Sequence, residues 1–134
     1  MYVSYEKNLK MNLDQLNIFN EPLEECSNEP KTGFFRTGCC ETDAQDIGTH
    51  TVCAIMNKEF LQFSSNQGND LITPVVDFDF PGLKPGDRWC LCANRRLEAF
   101  EAGFAPQIIA RATNIKTLDI IPLDKIKRFA IDIA

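Results

Sequence analysis

Six cysteines and a single histidine are the residues of this chain best equipped for chemistry. They fall as Cys26, Cys39-Cys40, His50-x-x-Cys53 and Cys90-x-Cys92. Thiolates ligate soft metal ions, attack electrophiles and exchange with disulfides. Structural zinc sites usually carry paired ligands ~2–4 residues apart in two separate turns, and no Cys-x-x-Cys knuckle occurs here. Cys39, Cys40, Cys90 and Cys92 still form a soft-metal ligand set if the loop bearing the first two folds across the strand bearing the others. Zinc is then the natural cofactor; the alternative is none.

Redox chemistry meets geometric limits. Residues two apart on a strand have Cα atoms roughly 6.5–7 Å apart, at the edge of the ~4.4–6.8 Å a disulfide tolerates. A Cys90–Cys92 bridge is therefore disfavoured, and a Cys39–Cys40 bridge distorts the peptide between them. A bridge from the loop pair to Cys90 or Cys92 fits better. Against both readings stands cysteine as a small buried apolar filler, which suits Cys53 inside its apolar run. Cys26 is undecided.

Histidine is the one side chain whose charge ordinarily changes near neutrality, which makes His50 the natural general base. On a strand, His50 and Cys53 point to opposite faces, so they do not pair as base and nucleophile. Pairing with Cys39, Cys40 or Cys92 across the fold stays open, and Cys40, His50 and Cys92 are the catalytic candidates. Cys92 precedes a helix start and lies near Arg95, giving it the best claim to reactivity. A second reading is a small-ligand or anion pocket lined by the loop residues Arg36, His50, Asp70, Asp87, Arg88 and Arg95. Arg95 and Arg96 occupy a first helical turn, where the dipole disfavours cations unless they and the free N–H groups hold an anion. A third reading is an interaction domain without chemistry. There is no serine nucleophile elbow, phosphate loop or zincin motif, and no motif decides between an enzyme and a binding protein.

These residues must be positioned by a chain of 134 residues, enough for one domain. Residues 1–14 read as an N-terminal extension and 15–134 as the domain. Apolar residues make up 44%, so a core is affordable and global disorder is not expected. A net charge of -5 argues against a nucleic-acid partner, and no apolar run is long enough for a membrane span. Residues 1–83 carry five basic and thirteen acidic side chains, whereas 84–134 carry nine and six. The cationic C-terminal half is where a small anionic molecule would be received. No secretory leader is evident, so the cytoplasm, with reduced thiols, is the expected compartment. Apolar faces are also compatible with a homo-oligomer.

Strands are expected at residues 16–19, 51–56, 88–93, 108–112 and 118–121. Helices are expected at 57–66 with Asn57 as cap, at 95–102 capped by Asn94 and ended by Gly103, and from Leu123 onward. The last places Ile126, Phe129, Ala130 and Ile133 on one face. Residues 20–48 read as a long packed loop, and Lys84-Pro85-Gly86-Asp87 as a type II turn. Without a regular βαβ rhythm, the best fit is an α+β two-layer sandwich: a small mixed sheet, about three helices and long ordered loops.

Several blocks carry a family resemblance. They are Pro22-Leu23 with Cys26-Ser27, Thr32-Gly33-Phe34 with Arg36 and Gly38-Cys39-Cys40, and His50-Thr51-Val52-Cys53-Ala54. Then come Gly68-Asn69-Asp70-Leu71 with Thr73-Pro74, and the long block from Pro81 to Cys92. The chain resembles, over about residues 17–130, a bacterial family known as domain of unknown function 2237. The resemblance implies a stand-alone α+β domain and assigns no activity. In that family an aromatic residue often follows the arginine at position 95, and Arg96 departs from the pattern. From the residues themselves the leading reading is a thiol-dependent domain, redox or metal-binding.

Overall fold

The computed structural model describes residues 15–133. The expected extension, 1–14, lies outside the described residues. Strand β1 (His50–Ile55) forms the centre of a three-stranded sheet, with β2 (Arg88–Cys92) on one side and β3 (Gln107–Ile108) on the other. Both pairings are antiparallel, so the three-stranded sheet is antiparallel rather than mixed as expected, and the parallel contact at its edge is an isolated bridge from Ile108 to Ala130. Helices α1 (Lys58–Asn66), α2 (Ala93–Ala102) and α3 (Leu123–Lys127) complete a single small α+β domain.

From Val52 to Ile55 the sheet alternates as a pleated strand must, after a shift of register between His50 and Val52. Val52, Ala54, Trp89, Leu91 and Ile108 enter one cluster, together with Phe60 and Leu61 of α1, Ala99 of α2 and Ile126 of α3. Cys53, Cys90 and Ile109 enter a second, smaller cluster with Cys26, Cys40, Ala112 and the flanking Ile55. Helices therefore cover the first face. The second is covered by the loop 20–48, tied down by Cys26–Cys53 and Cys40–Cys90 disulfides. Inside that loop Cys26 N–H donates to Gly38 O, and Gly38 N–H to Thr32 O. The Thr32 hydroxyl in turn accepts from Cys90 N–H at 2.8 Å. Gly33 lies so close to Cys39 O that a Cβ would sit 2.4 Å from it, so this fold of the loop requires glycine there.

Local signals account for most boundaries. Asn57 Oδ1 accepts from Phe60 N–H at 2.7 Å and starts α1. Gly103, at φ 83°, ends α2 in the left-handed region. Elsewhere the structure corrects the expectation. The strand at 16–19 reduces to isolated bridges of Leu16 to Pro22 and Asn17 to Asn114. The strand at 108–112 stops after two residues, because the Asp132 carboxylate takes the N–H groups of Ala110 and Arg111 at 2.7 and 2.9 Å. Residues 118–121 fall in and after a 3₁₀ turn, Ile115–Asp119, capped by Asn114. The last helix ends at Lys127, although Ile126, Phe129, Ala130 and Ile133 all still reach the main core. Helix α2 starts at Ala93, so its N-cap is Cys92 rather than Asn94. Cys53 is not filler: it is bridged to Cys26.

Crosslinks spanning 27 and 50 residues each remove about 3–4 kcal/mol of unfolded-chain entropy in the loop-closure model. Replacing Cys26 and Cys53 together by alanine is expected to lower unfolding free energy by that amount in non-reducing urea titrations. A loss under about 1 kcal/mol would show that the second face holds without its crosslink.

Candidate functional site

At one end of the β1–β2 pair, His50 and Cys92 are cross-strand partners. Both line a small cleft of about 190 Å³, with Asn69, Leu71, Trp89, Leu91 and Arg95. Cys92 ends β2 and begins α2 without offering a side-chain cap. The first-turn N–H groups of that helix have no intrahelical partners. The backbone is fixed there by Ala93 N–H donating to Thr49 O at 2.9 Å.

His50 is held by an element that sequence reasoning missed. Asp46, its side chain fully buried, places Oδ1 at 2.6 Å from His50 Nδ1. Its Oδ2 accepts from His50 N–H at 2.8 Å and from the Thr42 hydroxyl at 3.0 Å. A carboxylate at Nδ1 favours a proton on that nitrogen, so that in the neutral imidazole Nε2 is the acceptor. Phe34 stacks on the imidazole at 6.1 Å between centroids. Gly48 lies beneath it, where a Cβ would fall 2.5 Å from Cε1. The signal in the sequence was Asp46-x-Gly48-x-His50, a carboxylate and a bare backbone position leading into the histidine.

Among the described residues Cys39 and Cys92 are the free thiols, both half-buried. They differ in surroundings. Burial, then the charges of Glu41 and Glu25, push the Cys39 thiol above its ordinary pKa. Cys92 shares its cleft with an imidazole and a guanidinium.

The remaining candidates are placed as follows. Cys40 is bonded to Cys90, so it is not a free nucleophile, and Cys39, Cys40, Cys90 and Cys92 do not stand as four thiolates. The sulfurs that do gather are those of Cys26, Cys40 and Cys90, mutually within 4.8 Å. Of the six proposed anion-pocket residues, His50 and Arg95 share the cleft. Arg36 reaches its wall by stacking 5.1 Å from the Trp89 ring centroid. Asp70 instead organises an exposed turn, accepting from Ile72 and Thr73 N–H at 2.8 and 3.1 Å. The hydrogen bonds from Thr73, then that from Ile72, hold its carboxyl below the usual range. Asp87 binds Lys84 in the turn before β2, and Arg88 is exposed at that far end. Arg96 does not join Arg95 at an anion. It is buried over the Phe129 ring at 4.6 Å and donates to Pro106 O, and burial pushes its pKa down to about 10.

A larger cleft, about 450 Å³ between α1 and Phe104, contains neither cysteine nor histidine. Among the described residues no helix is long and apolar enough to cross a membrane.

The model of a family described as uncharacterised proteins conserved in bacteria, domain of unknown function 2237, matches residues 16–130, and the chain belongs to that family. No curated protein matches the chain.

Two outcomes follow from this geometry. Gly48→Ala is expected to displace the imidazole and break its bond to Asp46, read by ¹⁵N NMR as loss of the single Nδ1–H tautomer. Alkylation under non-reducing conditions should label two thiols per chain. Cys92 should react first, and Cys39 only as pH rises above the ordinary thiol range.

Proposed function

We propose that this member of the family is a thiol-dependent protein in which Cys92 is the nucleophile, His50 its general base and Asp46 the residue that orients His50. The observation that carries the reading is the shared cleft of Cys92 and His50, with a buried carboxylate at 2.6 Å from the far ring nitrogen. Nucleophile, base and orienting group in that order are the recurring parts of thiol catalysis. As sulfur attacks, Nε2 takes the thiol proton, and Asp46 stabilises the imidazolium that forms. Negative charge developing on the ligand meets Arg95 and the first turn of α2.

The cleft is smaller than the ~300–1,000 Å³ usual for drug-sized ligands, so the reading favours a compact electrophile or a single side chain as substrate. Leu71 and Trp89 supply apolar walls. The acidic chain supports a small-molecule partner over nucleic acid. The two disulfides favour non-reducing surroundings over the reduced thiols expected of the cytoplasm.

The test is the alkylation rate of Cys92 in a Cys39→Ser background at pH 7. His50→Gln is expected to slow it about 10-fold and Asp46→Asn several-fold, with far-ultraviolet circular dichroism unchanged. Equal rates in all three proteins would remove His50 from the role of base.

A further inference from the structure

The second face of the sheet carries a cluster that the Cys92 site does not use. Sγ atoms of Cys26, Cys40 and Cys90 lie within 4.8 Å of one another. Cys53 Sγ is bonded to that of Cys26, which places a fourth sulfur at the edge of the cluster. All four residues are buried, at 3% exposure or less. Cys53 and Cys90 are directly paired across β1 and β2, so two sulfurs rise from a rigid ladder and two descend from the loop above it. Ile55, Ile109 and Ala112 surround them.

We propose that, when both disulfides are reduced, Cys26, Cys40, Cys53 and Cys90 form a closed four-thiolate site for a soft divalent ion, zinc in the first instance. Zn–S bonds of ~2.3 Å in a tetrahedron set the sulfurs about 3.8 Å apart. That spacing is longer than a disulfide bond and shorter than the 4.8 Å that bounds the sulfurs of Cys26, Cys40 and Cys90, and Cys53 turns inward to complete the tetrahedron. Four protein ligands leave no open position, which makes the site structural rather than catalytic. The ion takes over the disulfides' task of holding the loop to the sheet. This set shares Cys40 and Cys90 with the one expected from spacing, and exchanges Cys39 and Cys92 for Cys26 and Cys53.

The conversion balances in two steps. Two equivalents of a dithiol reductant each become a disulfide, delivering four electrons and four protons to the two protein disulfides and leaving four thiols. The ion then binds as those four thiols release their protons, so affinity rises with pH over the range where thiols deprotonate. The chain thus keeps its loop fastened in oxidising and reducing surroundings by different bonds among the same sulfurs.

The experiment is anaerobic titration of the full chain with Co²⁺ after reduction by a phosphine, which contributes no competing thiol. One ion per chain is expected, with the visible d–d bands and near-ultraviolet charge-transfer bands of a tetrahedral tetrathiolate, displaced by Zn²⁺. Zn²⁺ should also raise the melting temperature of the reduced protein. Cys39→Ser/Cys92→Ser is expected to retain the site, which separates it from the Cys92 chemistry. Cys26→Ser/Cys53→Ser should weaken Co²⁺ binding about 100-fold or more. A reduced protein that gives no tetrathiolate bands, whether folded or unfolded, overturns the proposal. Binding that disappears with Cys39 and Cys92 instead overturns it too.

Discussion

The fastening of loop 20–48 onto the β1–β2 pair by Cys26–Cys53 and Cys40–Cys90 is the constraint on which the other features lean. A sheet has two faces to bury. Here all three helices pack in the cluster on one of them, which leaves the other to an irregular segment with little apolar surface of its own. In a domain of this size the hydrophobic effect from a cluster of cysteines, alanine and isoleucines is small. Crosslinks act mainly on the unfolded chain, and so hold a cover that packing alone holds weakly. The buried hydrogen bonds at the same place follow suit. Thr32 and Thr113 hydroxyls accept from the N–H groups of Cys90 and Cys53, and Asn114 donates to Cys40 O.

The same arrangement positions the candidate site. Loop 20–48 brings Asp46 and Gly48 to the start of β1 and sets Phe34 on the imidazole. On the opposite strand, Cys90 anchors β2 from below, and two residues later Cys92 emerges at the end of the ladder. The proposed base and nucleophile come from neighbouring strands, paired across an irregularity in register between His50 and Val52. Their orienting groups come from the loop the disulfides hold. The fold and the proposed chemistry therefore use different cysteines of the same two strands.

Much of the fold was legible because it rests on local signals. The apolar run at β1, Asn57 as a cap, the turn at Lys84–Asp87 and Gly103 as a stop all act over a few residues, and each is found where expected. The elements that failed were overruled at long range. Ala110 and Arg111 leave the strand because a carboxylate 22 and 21 residues away claims their N–H groups, and no window around residue 110 contains Asp132. At the site, His50 and Cys92 were singled out by their chemistry, but Asp46 was not, because an aspartate in an acidic loop carries no mark of burial. The bridge from the loop to β2 was foreseen as a type of contact. That Cys53 joins Cys26 was not, since an apolar run makes a bridged cysteine look like any other core residue. Arg96 shows the converse: charge suggested a ligand, and the structure seals it under Phe129.

The two disulfides also interleave along the chain, with Cys40 lying inside the segment closed by Cys26 and Cys53, and Cys90 far beyond it. During synthesis the first pair is complete well before the second strand exists. Cys40 must then wait through some forty further residues beside Cys39, a neighbour equally able to meet Cys90 when it arrives. What distinguishes the two is placement: Cys40 is turned fully inward and Cys39 is left at the rim among glutamates. The chain's vectorial order thus makes the loop's internal folding the arbiter of whether Cys40 or Cys39 meets Cys90.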